Sequence, residues 1–159
     1  MRSFQLDQNS NHKRLAEKCN AEGKCFVQRL PNELKDKEDP VVLAAVLANN
    51  STLLTMDFNI VADNGSCIPQ CNPGIIVVKA RPNTAELMTR ILARFKERFP
   101  QWAEVDWSQV YAEIDESEVY VSPLVDGNIE EGRAVLYTAA KFEYALTDAL
   151  LKIKPRCIK

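Results

Sequence analysis

The sequence IIVVK at residues 75–79 decides the fold class, because four of its five residues are apolar and β-branched. Working outward, the apolar run TLLTM at residues 52–56 predicts a second buried strand, which Asp57 follows. Two shorter segments, SFQLD at residues 3–7 and CFVQ at residues 25–28, also indicate strands. Strands that are continuous apolar runs are typical of a parallel sheet covered by helices on both faces.

Helical patterns separate these strands. Residues 10–21 carry an apolar stripe, and residues 83–98 carry a longer one. Between them, Asp39 is a good N-cap and Pro40 suits the first position of a helix, which is predicted to end at Asn49–Asn50. This alternation predicts an α/β fold with a mostly parallel central sheet, whose ligands lie at the carboxyl ends of the strands.

The 159 residues match the usual size of one domain. Residues 1–100 are predicted to form this α/β domain, and residues 101–159 an α/β extension packed on it. We expect Trp102 and Trp107 to anchor the extension on the core rather than to stack on bases. The remaining local predictions are a loop at residues 62–73, a strand or hairpin at residues 111–122, a turn at Asp126–Gly127 and a helix at residues 134–152.

The composition predicts a cytoplasmic protein with reduced thiols. No run approaches the ~18 apolar residues of a membrane helix, and the N-terminal segment lacks the apolar stretch of a signal peptide. The five cysteines are therefore expected to be reduced. Cys67 and Cys71 form a C-x₃-C pair, for which two loop thiols are favoured over a zinc site because the single histidine, His12, lies far away in sequence.

Three acids stand where a parallel sheet gathers its ligands. Asp7 and Asp57 end two strands, and Asp39 opens a helix between them. Carboxylates gathered at one edge repel one another unless they are protonated or bridged by a cation. Oxygen ligands suit Mg²⁺ or Mn²⁺, which activates water and neutralises charge at a phosphodiester. The alternative is that these acids are turn residues and, at Asp39, a helix cap.

Four segments resemble, in order and approximate spacing, the motifs of the small prokaryotic PIN-like domain family. They are FQLDQN at residues 4–9, EDPVVL at residues 38–43, LLTMDFN at residues 53–59 and PGIIVV at residues 73–78. The resemblance covers residues 2 to about 99. It implies a three-layer PIN fold, an Mg²⁺- or Mn²⁺-dependent ribonuclease and often the toxin of a toxin–antitoxin pair. RNA would be the substrate, an antitoxin or other protein a partner, and a homodimer is left open.

The resemblance also implies roles for single residues. Asp7 would be the first metal ligand and Asp39, or Glu38, the second acid. Asp57 would be the third acid and would orient the metal-bound water. All three aspartates would thus act in catalysis.

The fourth acidic position departs from the family pattern, because Asn59 stands there. Its carbonyl oxygen can bind a metal but supplies no charge, and Asp63 in the following segment is a candidate substitute. Thr55 is expected to support a carboxylate through its hydroxyl, or to be an ordinary strand residue. Asn9 is expected to position a carboxylate or bind phosphate, or to be a turn residue.

Charge is divided unevenly along the chain. Residues 1–100 hold 14 Lys/Arg and 11 Asp/Glu, whereas residues 101–159 hold 6 and 11. The acidic segment at residues 113–118 is predicted to be a solvated edge strand, with screening of the basic surface as the alternative. The residues predicted to contact an RNA backbone, unless they only form a solvated face, are Lys79, Arg81, Arg90 and Arg94.

Two other functions stay open. The first is a catalytically weak PIN-like module that binds protein or RNA, which Asn59 favours. The second is a phosphate-accepting α/β domain with strand-end aspartates, which ranks lower because Asp7 has no neighbouring acid.

Overall fold

The structure is a computed structural model that describes residues 2–6, 25–28, 33, 39–48, 50–69 and 71–153. These residues form a sheet whose strands are β1 (Arg2–Leu6), β2 (Cys25–Gln28), β3 (Thr52–Thr55), β4 (Ile75–Val78), β5 (Val110–Ile114), β6 (Glu118–Val125), β7 (Asn128–Ile129) and β8 (Arg133–Leu136). The accompanying α-helices are α1 (Asp39–Ala48), α2 (Ile60–Asn64), α3 (Ala85–Arg98) and α4 (Phe142–Ile153).

The sheet is parallel through its first five strands and antiparallel beyond them. Its order is β2-β1-β3-β4-β5-β6-β7, and β8 also pairs with β6. Neighbours from β2 to β5 are parallel, whereas β6 is antiparallel to β5, β7 and β8. The predicted α/β class with a mostly parallel central sheet is confirmed. The hairpin expected at residues 111–122 is the β5–β6 pair, and the turn at Asp126–Gly127 follows it with φ values of 52° and 76°.

Helices cover both faces of the sheet, as the apolar strands require. On one face, residues of α1 and α2 pack against Leu53, Ile75 and Val77. On the other face, α3 packs over β4 and β5 and α4 packs over β6 and β8, in a core that includes Leu54 and Ile76. The alternation of side chains along each strand separates these two cores. The arrangement is compatible with a three-layer sandwich, and no described helix is long and apolar enough to cross a membrane.

Two successive connections lie on opposite faces of the sheet. The connection from β3 to β4 passes through α2, and the connection from β4 to β5 passes through α3. Both advance across the sheet in the same direction, but α2 and α3 cover different faces. The two connections therefore have opposite hands, so one of them departs from the strong right-handed preference of parallel crossovers.

The two tryptophans are buried, as predicted. Trp102 is 2% exposed and Trp107 is fully buried. The Trp102 ring centroid lies 4.8 Å from that of Phe4, and the Trp107 indole N–H donates to the Trp102 carbonyl over 2.8 Å. The core that covers β1 thus includes residues from the chain after residue 100.

The loop predicted at residues 62–73 is partly helical. Helix α2 and a 3₁₀ turn at Gly65–Cys67 occupy its first half. Ile60 and Val61 are buried beneath α1, and the Asn64 side-chain amide donates to the Ile60 carbonyl over 3.0 Å. Burial of these two apolar residues outweighs the polar composition on which the loop prediction rested.

The helix predicted at residues 134–152 begins later, at Phe142, because residues 133–136 form β8. Val135 is buried whereas Leu136 is 51% exposed, so the prediction that Leu136 belongs to the apolar stripe of a helix was wrong. The prediction of an edge strand at residues 113–118 was also wrong, because β5 lies between β4 and β6. The helix predicted at residues 10–21 lies outside the described residues.

One cysteine departs from the expected reduced state. Cys67 is a free and exposed thiol, but Cys71 is disulfide-bonded. The prediction of reduced thiols is therefore wrong at Cys71. An odd number of scattered cysteines does not reveal which of them the fold brings together.

Candidate functional site

The parallel strands β1, β3, β4 and β5 end on one side of the sheet, which we call the carboxyl edge. β1 and β3 are direct neighbours, with Leu6 paired to Leu54. The strand order changes direction here, since β2 and β3 lie on opposite sides of β1. In open α/β sheets such a switch point is where ligands bind, outside the carboxyl ends of the strands. The candidate site lies there.

Asp57 is held at this edge by its own strand end. Its backbone N–H donates to the Thr55 hydroxyl oxygen over 3.0 Å, and Thr55 is fully buried. One carboxylate oxygen, Oδ1, accepts the Asn59 backbone N–H over 3.0 Å. Asp57 is only half-buried and forms no ion pair with any residue that the structure describes. A turn occupies one oxygen, so the other can serve a ligand.

Asn59 stands beside Asp57 with an uncommitted side chain. It precedes α2 and is exposed, and its side chain makes no capping hydrogen bond. The Asn59 amide oxygen and the Asp57 carboxylate are both hard oxygen donors of the kind that Mg²⁺ and Mn²⁺ accept. The donor chemistry of these two residues therefore fits the expected metal.

Asp63 contributes to a different feature. It lies one helical turn after Asn59, to whose carbonyl it donates its backbone N–H over 2.9 Å. With Asp126 and Asn128 of the β6–β7 turn, it lines a groove of about 530 Å³, and Asp57 is not among the residues of that groove. Asp63 thus faces the β6–β7 turn.

The other predicted ligands are only partly visible. Asp7, Asn9 and Glu38 lie outside the described residues, and Asp39 is the first residue of α1. Within the described part of the chain, no group of three or more His, Cys, Asp or Glu side chains could hold a metal ion. Of the predicted metal ligands, the structure positions Asp57 and Asn59.

A second polar group lies on the neighbouring strands β4 and β5. The sequence did not predict that its side chains come together. The Glu113 carboxylate accepts the Tyr111 hydroxyl over 2.7 Å at Oε1 and binds the Lys79 ammonium over 2.9 Å at Oε2. The strand register explains this, since Val77 is paired with Glu113 and Lys79 lies two residues further along the chain. We call these three side chains the lysine cluster.

Tyr111 is the buried member of the lysine cluster. It is 1% exposed, and this burial is the main reason why its pKa lies well above the ordinary value near 10. The hydrogen bond to Glu113 and the negative charges of Glu113 and Asp57 raise the pKa further. Tyr111 therefore stays a neutral hydrogen-bond donor, and its electrostatic interaction with Asp57 links the lysine cluster to the strand-end acid.

The four predicted RNA-binding residues do not form one surface. Lys79 pairs with Glu113 near the carboxyl edge, and the Arg81 guanidinium lies over the exposed Phe58 ring, 4.9 Å from its centroid. Arg90 is exposed on α3. The Arg94 guanidinium instead lies 5.0 Å from the centroid of the Tyr137 ring, which follows β8. Lys79 and Arg81 are therefore the predicted cations closest in the chain to the candidate site.

Sequence reasoning could have found the lysine cluster only in part. Residues 111 and 113 share a strand face by the period of two, and Lys79 ends a strong apolar run. The pairing of β4 with β5, which joins them, is a long-range contact without a local sequence signal.

Comparisons of this chain with family models, with curated proteins and with solved structures give no match. Its resemblance to PIN-like nucleases therefore rests on the four motifs of its own sequence.

Proposed function

We propose that this protein is a metal-dependent endoribonuclease of the PIN-like class, with its site at the carboxyl edge between β1 and β3. The observation that carries the proposal is the parallel pairing of these strands, in which Leu6 lies opposite Leu54. Asp7 is the next residue after β1, and Asp57 follows β3. Because these two strands end side by side, the acids that follow them can bind the same cation.

The donor set favours Mg²⁺ or Mn²⁺. Asp57 and Asn59 offer oxygen atoms at the described part of the edge, and Asp7 with Asp39 or Glu38 would complete the set. When bound, such a cation supplies charge neutralisation at a phosphodiester and lowers the pKa of water. Asp57 would accept a hydrogen bond from the attacking water and orient it, because Thr55 and Asn59 hold its backbone and carboxylate in place.

Lys79 would supply a fixed positive charge to the RNA backbone. Its ammonium is held by Glu113 over 2.9 Å, yet the side chain is 37% exposed. An ammonium group has three donors and can bind a phosphate while keeping a carboxylate partner. Glu113 would then be a positioning residue, since it orients Lys79 and is itself held by the Tyr111 hydroxyl.

The test is cleavage of a labelled single-stranded RNA pool with Mn²⁺, with Mg²⁺ and with EDTA. Wild type is expected to cut with either metal and not with EDTA, and Asp57→Asn is expected to lose the activity. Asp148→Asn is the matched control, because Asp148 forms a surface ion pair with Lys152 on α4. Equal cutting by Asp57→Asn and Asp148→Asn would refute the assignment.

The rival function is a catalytically weak PIN-like module that binds RNA or a protein partner, such as an antitoxin. Asn59 replaces an acid of the family pattern, and Asp63 lines a groove with the β6–β7 turn rather than with Asp57. Both observations indicate that the site has fewer carboxylates than the family pattern, and this favours weak catalysis. A well-folded wild type that binds RNA but cuts it with neither metal would support this function.

The topology gives two opposing indications for the phosphate-accepting alternative. The parallel strands have the order 2-1-3-4-5 of flavodoxin-like sheets, which favours it, whereas the placement of α3 disfavours it. A sheet of order 2-1-3-4-5 with uniformly right-handed crossovers would place α3 on the same face as α1 and α2. Here α3 packs on the opposite face.

A further inference from the structure

We propose that Phe58 and Arg81 form a stacking platform for an unpaired base of the RNA beside Asp57. The inference rests on the proposed function and deepens it, since it assigns the substrate as single-stranded at this point. Neither a base-stacking role for Phe58 nor its pairing with Arg81 follows from the sequence motifs.

Phe58 is unusual among the phenylalanines of this fold. It is 40% exposed, whereas the other phenylalanine side chains that the structure describes are at most 4% exposed. Those buried side chains are Phe4, Phe95, Phe99 and Phe142. Phe58 directly follows Asp57 in the chain, so this exposed residue belongs to the segment after β3 that carries the candidate catalytic carboxylate.

Arg81 orients this ring and brings a positive charge. Its guanidinium lies 4.9 Å from the Phe58 ring centroid, a distance typical of cation–π contacts. Arg81 is exposed and, unlike Lys79, forms no ion pair with a residue that the structure describes. The contact joins the segment after β3 to the segment after β4, both at the carboxyl edge.

A guanidinium over a partly exposed aromatic ring suits a nucleotide, whose base can lie against the part of the ring that Arg81 leaves exposed. Bases stack on exposed aromatic side chains without regard to sequence, and an arginine can stack on the base or bind its phosphate. A base inside a duplex already has both faces covered by neighbours, so it cannot lie on Phe58. A platform next to Asp57 would therefore hold an unpaired nucleotide close to the bond that is cut.

The experiment measures binding of a fluorescein-labelled single-stranded RNA oligonucleotide by anisotropy in EDTA, where binding is separated from metal-dependent cleavage. Phe58→Ala is expected to weaken binding about tenfold, the usual loss of one stacked base, and Phe58→Trp to retain it. Arg81→Ala is expected to weaken binding as well. Tyr144→Ala removes another exposed aromatic side chain, 72% exposed on α4, and is expected to bind as wild type does. Thermal melting shows whether each variant is folded.

The duplex of the same sequence provides the second arm. Wild type is expected to bind the duplex more weakly, and Phe58→Ala is expected to leave that affinity unchanged. The platform is overturned if Phe58→Ala and Tyr144→Ala bind the single strand equally, if the duplex loses as much affinity as the single strand, or if wild type binds no single-stranded RNA. Binding that depends on Phe58 without cleavage in Mn²⁺ would refute the nuclease and keep the platform. Metal-dependent cleavage that Phe58→Ala leaves unchanged would refute the platform and keep the nuclease.

Discussion

Lys79 and Glu113 are joined across two neighbouring parallel strands, with the ammonium nitrogen 2.9 Å from the carboxylate Oε2. The same carboxylate accepts the buried Tyr111 hydroxyl through its other oxygen. One glutamate thus satisfies a buried donor and holds a partly exposed cation at the edge where Asp57 stands. This relationship connects the stability of the sheet to the properties of the candidate site.

Removal of the Glu113 carboxylate is expected to destabilise the protein through Tyr111. Glu113→Ala leaves the buried hydroxyl without its partner, which costs about 1–3 kcal/mol. Loss of the partly exposed ion pair adds at most about 1 kcal/mol. Urea unfolding of Glu113→Ala, Tyr111→Phe and the double variant measures the coupling. The explanation fails if Glu113→Ala is equally destabilising with and without the Tyr111 hydroxyl.

The stability of the fold is expected to fall in alkaline solution above pH 10. Burial raises the pKa of Tyr111 and of Tyr137 above the ordinary value near 10. The unfolded chain therefore releases these protons first, and the stability that is fully present below pH 10 is lost as pH rises toward the folded pKa. Urea midpoints between pH 9 and about 11.5 should fall less steeply for Tyr111→Phe than for wild type. An unchanged slope in both Tyr111→Phe and Tyr137→Phe would contradict the assignment.

The Asp126–Gly127 turn is expected to reject a side chain at its second position. Gly127 has φ +76°, and a Cβ there would lie 1.9 Å from the Gly65 carbonyl oxygen. Because both backbones are fixed, Gly127→Ala should lower the free energy of unfolding by at least about 1 kcal/mol. Asp126→Gly is the control, since Asp126 already has φ 52° and glycine adopts that conformation without strain. Equal stability of Gly127→Ala and wild type would show that the two segments separate easily.

Lys79 is expected to contribute one phosphate contact. For Lys79→Met, the dependence of log affinity on log salt concentration should become shallower by about 0.7 for single-stranded RNA. Lys79→Arg keeps the charge and should retain the slope. Arg94→Met serves as a comparison, because the Arg94 guanidinium lies over Tyr137 instead. A slope that Lys79→Met leaves unchanged would remove Lys79 from the RNA-binding surface.

Asn59→Asp is expected to strengthen metal-dependent cleavage. The exposed Asn59 side chain makes no capping hydrogen bond, so a carboxylate can replace it without breaking a contact, and it would add a charged oxygen ligand beside Asp57. The activity in Mn²⁺ should rise, and Mn²⁺ should bind more tightly in calorimetric titration. Asn128→Asp adds the same charge on the β6–β7 turn and should change neither quantity. Equal Mn²⁺ affinity of Asn59→Asp and Asn128→Asp would argue against a metal at this edge.

The local sequence determined most of the elements. Apolar β-branched runs predicted β3 and β4, and an amphipathic stripe predicted α3, whose N-cap Thr84 accepts the Leu87 backbone N–H. Asn50 adopts φ 52° at the predicted end of α1. These features depend on residues within a few positions of one another, so they can be predicted without the tertiary structure. The position of Asp57 after a buried strand is likewise a local feature that the sequence predicts.

Tertiary structure alone decided how these elements meet. The order of the strands, the burial of Ile60 and Val61 against α1, and the pairing of β8 with β6 all depend on contacts between segments far apart in sequence. The union of Lys79 with Glu113 has the same origin, because it requires β4 and β5 to lie side by side in one register. Periodicity reports which face of a segment is apolar, but not which partner covers that face. For this reason the sequence located a strand-end aspartate and the phenylalanine after it, whereas the fold supplied the Lys79–Glu113 ion pair, the buried Tyr111 and the contact of Arg81 with the Phe58 ring.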